Sequence, residues 1–192
     1  MNPTPVTPEE ARRALEAADA TARQMRRMLA HGGLPYFLWI WGTVWLLGFG
    51  ATHFFGPHDP RTAWAWAILD TAGAVLSFAV GAWLGRRLRS PRGGALGLFW
   101  MAWLVYAALI LYFARPLSEK QISLLIALFA MMGYVTSGLL YRSRWLVGLG
   151  LTVTVLIVLG YVAWPAGFDL WMAVLGGGSL LAAGTYIYYA WR

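Results

Sequence analysis

Apolar residues along this chain fall into six long stretches, at 34–56, 63–85, 95–114, 121–141, 145–163 and 170–190. Each is about 20 residues long, the length of helix that crosses a hydrocarbon layer about 30 Å thick. The last four contain no Asp, Glu, Lys, Arg or His. The breaks between stretches are short and rich in turn formers: Gly56-Pro57-His58-Asp59-Pro60, Ser90-Pro91-Arg92-Gly93-Gly94, Arg115-Pro116 and Pro165-Ala166-Gly167. Connections this short make neighbouring spans antiparallel. The pattern predicts an all-α integral membrane protein, a six-transmembrane-helix bundle spanning 34–192.

Residues 1–33 have a different pattern. Thr7 is placed to cap a helix, with Pro8 at its first position and Glu10 completing a capping box. The expected helix runs over about 8–30 and stops at His31-Gly32-Gly33. Ala11, Leu15, Ala18, Ala22, Met25 and Leu29 repeat at four-three spacing and form one stripe. This amphipathic, cytoplasmic N-terminal helix has two readings. One lays it on the membrane surface, with Arg23, Arg26 and Arg27 meeting anionic headgroups. The other makes it a docking or dimerising helix. No short apolar h-region opens the chain, so a cleavable signal peptide fits poorly.

Charge then orients the bundle. The 192 residues carry a formal net charge of +7, and 12% are charged. With the N-terminus inside, Arg12, Arg13, Arg23, Arg26, Arg27, Arg86, Arg87, Arg89, Arg92, Arg142, Arg144 and Arg192 are cytoplasmic. Only Arg61, Arg115 and Lys120 fall outside. This positive-inside bias places both termini in the cytoplasm and accounts for the net charge without nucleic acid as a partner. Arg23, Arg26, Arg27, Arg86, Arg87, Arg89 and Arg92 are the expected anionic-lipid or topology anchors. Aromatic residues near span ends read as interfacial belts: Trp39, Trp41, Trp100 and Trp145 inside, and Phe54, Phe55, Trp64, Trp164 and Trp171 outside. The N-terminal helix followed by Leu34-Pro35-Tyr36-Phe37-Leu38-Trp39-Ile40-Trp41-Gly42 has the look of a multi-pass protein of a bacterial inner membrane, and the Arg-rich, Lys-poor composition suits a GC-rich genome.

The chemistry-bearing residues are few. Cys is absent, so thiolate metal sites and cysteine nucleophiles are excluded. No Walker loop, His-Glu-x-x-His or paired axial His occurs, and no metal or cofactor is expected. Asp70 is the one acid deep in a span, about seven residues or roughly 10 Å in. An intramembrane carboxylate is costly and is expected to face protein or water. Gly73, Ser77, Gly81 and Gly85 recur every four residues beside it and form an expected helix-packing ladder. On this pattern the second span is central to the bundle, with Asp70 at a helix–helix contact.

His53 and the triplet Gly176-Gly177-Gly178 fall at comparable depth on other spans. With Asp70 they make a candidate intramembrane polar site. The triplet reads either as tight packing or as an unwound ligand-binding stretch. Three functions compete: a non-enzymatic membrane subunit or interaction protein, a small-solute or proton-coupled transporter using Asp70, and a sensor signalling through helix 8–30.

Overall fold

The computed structural model describes residues 7–31, 33–87 and 93–191. Arg89 and Arg92 lie outside them. Among the described residues the regular structure is all helical: α1 (Pro8–His31), α2 (Leu34–Phe55), α3 (Pro60–Arg87), α4 (Gly93–Phe113), α5 (Glu119–Leu140) and α6 (Arg144–Ala163). A last helical run, α7 (Pro165–Ala190), completes the bundle. Within α7, Met172–Gly177 winds as a π-helix between α-helical segments. Five of these helices (α2, α3, α5, α6 and α7) are long and apolar enough to cross a membrane. The chain is therefore a multi-pass helical membrane protein. The described stretch Gly97–Phe113 of α4 is a shorter apolar helix.

The helix ends follow local chemistry. Glu10 accepts from the Thr7 amide and hydroxyl, each at 2.9 Å, while the Thr7 hydroxyl accepts from the Glu10 amide at 3.3 Å. Gly33 (φ +86°) breaks the chain between α1 and α2, and Gly56 (φ +89°) ends α2. Both angles are in the left-handed region that glycine adopts without a Cβ clash. Ser118 and Gln121 make a reciprocal capping box at the start of α5, and Ser143 caps α6. Arg142 (φ +53°) makes the turn between α5 and α6, where the Ser143 amide donates to the Gly138 carbonyl at 2.7 Å.

The principal contacts place the helices side by side in the order α3, α2, α7, α6, α5, α4. Helices α3 and α4 are adjacent in sequence yet lie at opposite ends of this order. Packed helices sit about 8–10 Å apart, so a straight row would separate its ends by roughly 45 Å. The six residue steps from Arg87 to Gly93 reach at most about 20 Å. The row must therefore curve and bring the ends of α3 and α4 toward each other. The buried core runs through the middle helices and includes Leu38, Trp45, Phe49, Met131, Ile157, Met172, Leu180 and Ile187.

Glycine sets how closely these helices meet. A Cβ on Gly177 would lie 2.7 Å from the Leu46 amide nitrogen and 2.8 Å from the Gly42 carbonyl oxygen. A Cβ on Gly42 would lie 3.0 Å from the Leu181 nitrogen. Helices α2 and α7 thus touch backbone to backbone. The same device joins α5 and α6, where Gly138 abuts the Val147 nitrogen and Gly150 abuts the Met131 carbonyl.

Elsewhere an indole fills the notch that a glycine leaves. Trp66 sits on Gly48, Trp39 on Gly184, Trp100 on Gly133, Trp171 on Gly160 and Trp45 on Gly176. Several of these rings also donate across the contact. Trp66 Nε1 bonds Thr52 Oγ1 (2.9 Å), Trp171 Nε1 the Leu156 carbonyl (2.8 Å) and Trp39 Nε1 Thr185 Oγ1 (3.1 Å). Trp39, Trp100 and Trp171 are helix-packing wedges, where the aromatic pattern alone suggests interfacial anchors.

The position of α3 corrects the expectation that it is central. It packs on α2 through Trp66, Leu69 and Gly73, the last against Trp41 and Val44. Gly81 and Gly85 have no atom within 4 Å of a built Cβ, so among the described residues their half of the ladder makes no close packing. Four-residue spacing marks a helical face, but only Gly73 falls where α2 is.

Two outcomes follow from this packing. Gly177→Ala forces a methyl into the α2 backbone and costs about 1–3 kcal/mol. Gly178→Ala meets nothing within 4 Å and is neutral or stabilising by up to about 1 kcal/mol, since it relieves a helical glycine. Thermal unfolding of both variants in one detergent checks the contrast. At the other end of the chain, the Thr7 amide and, secondarily, its hydroxyl hold the Glu10 carboxyl below its ordinary value of 4.5. A lowered carboxyl stabilises the folded cap above that ordinary value and loses the contribution as pH falls below it. Protection factors of the amides at residues 9–11, measured from pH 7 to pH 3 and corrected for the intrinsic exchange rate at each pH, should fall only in the acid limb.

Candidate functional site

Asp70 follows Leu69 on α3, and one residue step turns a helix by about 100°. Leu69 packs toward the core, and Trp66 and Gly73, one turn to either side of Asp70, pack on α2; Asp70 sits at the edge of that α2-facing side and is exposed. In place of the expected helix–helix contact, Asp70 has no hydrogen bond or ion pair among the described residues. Thr71 beside it is exposed as well. Ser77, further along α3, has a buried hydroxyl with no hydrogen-bond partner in the structure.

His53 makes no hydrogen bond or ion pair with Asp70 among the described residues. It stands exposed in the last turn of α2, with its ring edge-on to Phe54 at 5.1 Å. The glycine triplet is elsewhere again. Gly176 and Gly177 sit against Trp45, Leu46 and Gly42, whereas Gly73 sits against Trp41 and Val44. Helices α7 and α3 therefore use different faces of α2. Of the two readings of the triplet, packing describes Gly176 and Gly177, because the chain stays helical there and closes onto α2. Gly178 is free of neighbours. The expected constellation of Asp70, His53 and Gly176–Gly178 is not assembled.

What the fold does assemble is a charged cluster at the end of the bundle formed by the 56–60, 114–118 and 164–167 turns. Asp169, half-buried in the first turns of α7, lies within electrostatic reach of Lys120, His53 and Glu119. Lys120 Nζ donates to the Pro165 carbonyl at 2.7 Å, tying α5 to the start of α7. His58 Nδ1 meets Glu119 Oε1 at 3.0 Å, which links the α2–α3 turn to α5. Next to it, Arg61 donates to both oxygens of Asp59 and holds that carboxyl below its usual range. Among the described residues no three His, Asp or Glu side chains are grouped to hold a metal. The cluster alternates charges and behaves as a surface clasp across three turns.

Asp169 escapes the sequence reading because the last apolar stretch is counted from 170. The helix begins earlier, at Pro165, so Asp169 lies inside it. The available signal is Pro165 itself, a residue favoured in the first turn of a helix.

The basic candidates occupy the opposite end. Gly33 is closed over by Leu84 of α3, Tyr36 meets Trp83, and Trp145 meets Trp191. The starts of α2 and α6 and the ends of α3 and α7 therefore share that end. Arg86, Arg142 and Arg144 are exposed there, and Arg23 is exposed on α1. The side chains of Arg26, Arg27 and Arg87 are outside the described set. No protein-family model, curated protein or solved structure matches this chain.

Thermodynamic coupling separates the expected site from the assembled one. Asp70→Asn and His53→Gln should add to within about 0.5 kcal/mol in a double-mutant cycle, because the groups share no partner. Lys120→Met and Asp169→Asn should depart from additivity by at least about 0.5 kcal/mol. Unfolding of the four single and two double variants in the same micelle gives both numbers.

Proposed function

We propose that this chain is a non-enzymatic membrane subunit that presents α3 to a partner span. In this reading six helices cross a bacterial inner membrane, with α4 as the sixth, and both termini are cytoplasmic. The positive-inside distribution of arginines supports the orientation.

The observation that carries the reading is Asp70, an exposed carboxylate in the interior of a helix long and apolar enough to span a membrane. Facing lipid, such a group costs about 2.5–3.5 kcal/mol at the centre of a span. Three to four turns further along α3, Gly81 and Gly85 leave a notched strip of the kind that lets another helix backbone come close. A carboxyl group covered by a neighbouring helix recovers a hydrogen bond that the chain alone does not provide. The proton-coupled carrier reading rests on Asp70, His53 and the glycine triplet acting at one place. Among the described residues no hydrogen bond or ion pair joins Asp70 to His53, so the subunit reading is the one the exposed carboxylate favours.

Asp70→Leu is the discriminating variant. In detergent, the isolated chain should unfold within about 0.5 kcal/mol of the parent or slightly above it, as expected for an exposed position without partners. In native membranes the same variant should lose its assembly, read by mild-detergent gel mobility and by crosslinking from Gly81→Cys. A parent chain that runs as a monomer and gives no Gly81→Cys crosslink in its own membrane overturns the proposal.

A further inference from the structure

Helix α1 stands outside the bundle. Thr7 to Ala17 are all exposed, and Leu15, the one large apolar side chain in its first half, is 65% exposed. Its last turns reach the bundle, where Ala30 is buried and the chain turns at Gly33 directly into α2. The helix is thus tethered at the membrane surface, at the end where Arg86, Arg142 and Arg144 are exposed.

Charge divides α1 in two. Residues 8–19 hold four acids against two arginines, a net −2. Residues 20–31 hold Arg23, Arg26 and Arg27 with no acid, a net +3 when His31 is neutral. The apolar stripe is divided in the same way. Ala11 and Leu15 lie in the acidic half, while Met25 and Leu29 lie in the basic half, nearest the tether.

We infer that α1 is a half-seated arm on an anionic lipid surface: residues 20–31 lie on the headgroups, and residues 8–19 are held off. The occupant of the basic half is lipid because three features coincide there: positive charge, the larger stripe residues, and a covalent path that leaves them at the bilayer. An anionic surface attracts each nearby arginine and repels the net-negative first half by the same law. A uniformly amphipathic helix would lie flat along its whole length; this one is graded. The arrangement leaves Glu9, Glu10, Glu16 and Asp19 presented to water.

The chain contains no cysteine, so a single introduced thiol labels one place in the full protein. Leu29→Cys and Leu15→Cys, each carrying a nitroxide, are placed in nanodiscs of zwitterionic lipid alone or with one-third anionic lipid. Accessibility to a water-soluble relaxation agent is the readout. About fivefold per arginine gives a bound-to-free ratio on the order of 100-fold higher in the anionic discs. The Leu29→Cys label should therefore be shielded there and released by high salt, while the Leu15→Cys label stays accessible throughout. Replacing Arg23, Arg26 and Arg27 by Gln should abolish the lipid dependence and leave the unfolding temperature of the bundle unchanged. Equal shielding at Leu29→Cys in both lipids overturns the inference, because burial is then apolar only. Shielding of Leu15→Cys to the same depth overturns the grading. Shielding accompanied by label-to-label distances between copies assigns the stripe to a second chain and overturns the lipid assignment.

Discussion

Indole rings seated on glycines hold these helices together. In a bilayer the hydrophobic effect does not press one apolar helix against another, so close steric fit and interhelical hydrogen bonds must do so. Glycine supplies the notch by omitting a side chain, and tryptophan supplies a large rigid plate with one donor. Trp66 on Gly48, Trp171 on Gly160 and Trp39 on Gly184 each combine the two, since each indole N–H finds an acceptor at the same contact. Where even an indole would be too thick, two glycines meet, as Gly42 and Gly177 do. The π-helical winding of Met172–Gly177 belongs to that contact, because it occupies the stretch of α7 pressed against the α2 backbone.

This packing decides which helices are central. Helices α2, α7, α6 and α5 carry notches and wedges toward one another, and the buried core runs between them. Helix α3 is attached through a single side, by Trp66 and Gly73, and α4 through Trp100 and Trp103, the latter donating to the Phe129 carbonyl at 3.0 Å. Their remaining faces show Val75, Leu76 and Phe78 on α3, and Leu104, Val105 and Leu109 on α4. Such surfaces suit lipid. The α3 surface carries in addition an exposed carboxylate, Asp70.

The sequence makes the helices legible and their neighbours much less so. Stretches of 20 apolar residues and turn-forming breaks mark where helices lie. The Thr7–Glu10 box is visible because capping is local chemistry between residues three apart. Facing is different. A hydrophobic helix in lipid has little contrast between its sides, so periodicity does not say which side meets protein. The ladder Gly73, Ser77, Gly81, Gly85 shows the consequence: four small residues share a face, and α2 covers only the first part of it. Tryptophan is ambiguous for a similar reason. Near a span end it suits the headgroup region, and beside a glycine on another helix it suits a contact, but the glycine partner is invisible in one dimension. Asp169 was lost through a boundary, since moving a helix start by five residues turns a loop acid into a helical one.

Asp70 and the free end of the ladder bear on each other. Taken singly, an exposed acid in a spanning helix is a cost, and exposed glycines are positions where helix propensity is given up for no gain, about 1 kcal/mol each relative to Ala. Both features occur on the same helix, and neither is used by the chain that carries them. One covering helix would account for both at once: the glycines allow its backbone to approach, and close approach excludes lipid from the carboxyl while bringing a donor or acceptor within reach. A structural carboxylate that served only its own fold would have been bonded within it. The absence of such a bond among the described residues is therefore informative, and it directs attention to the outer side of α3.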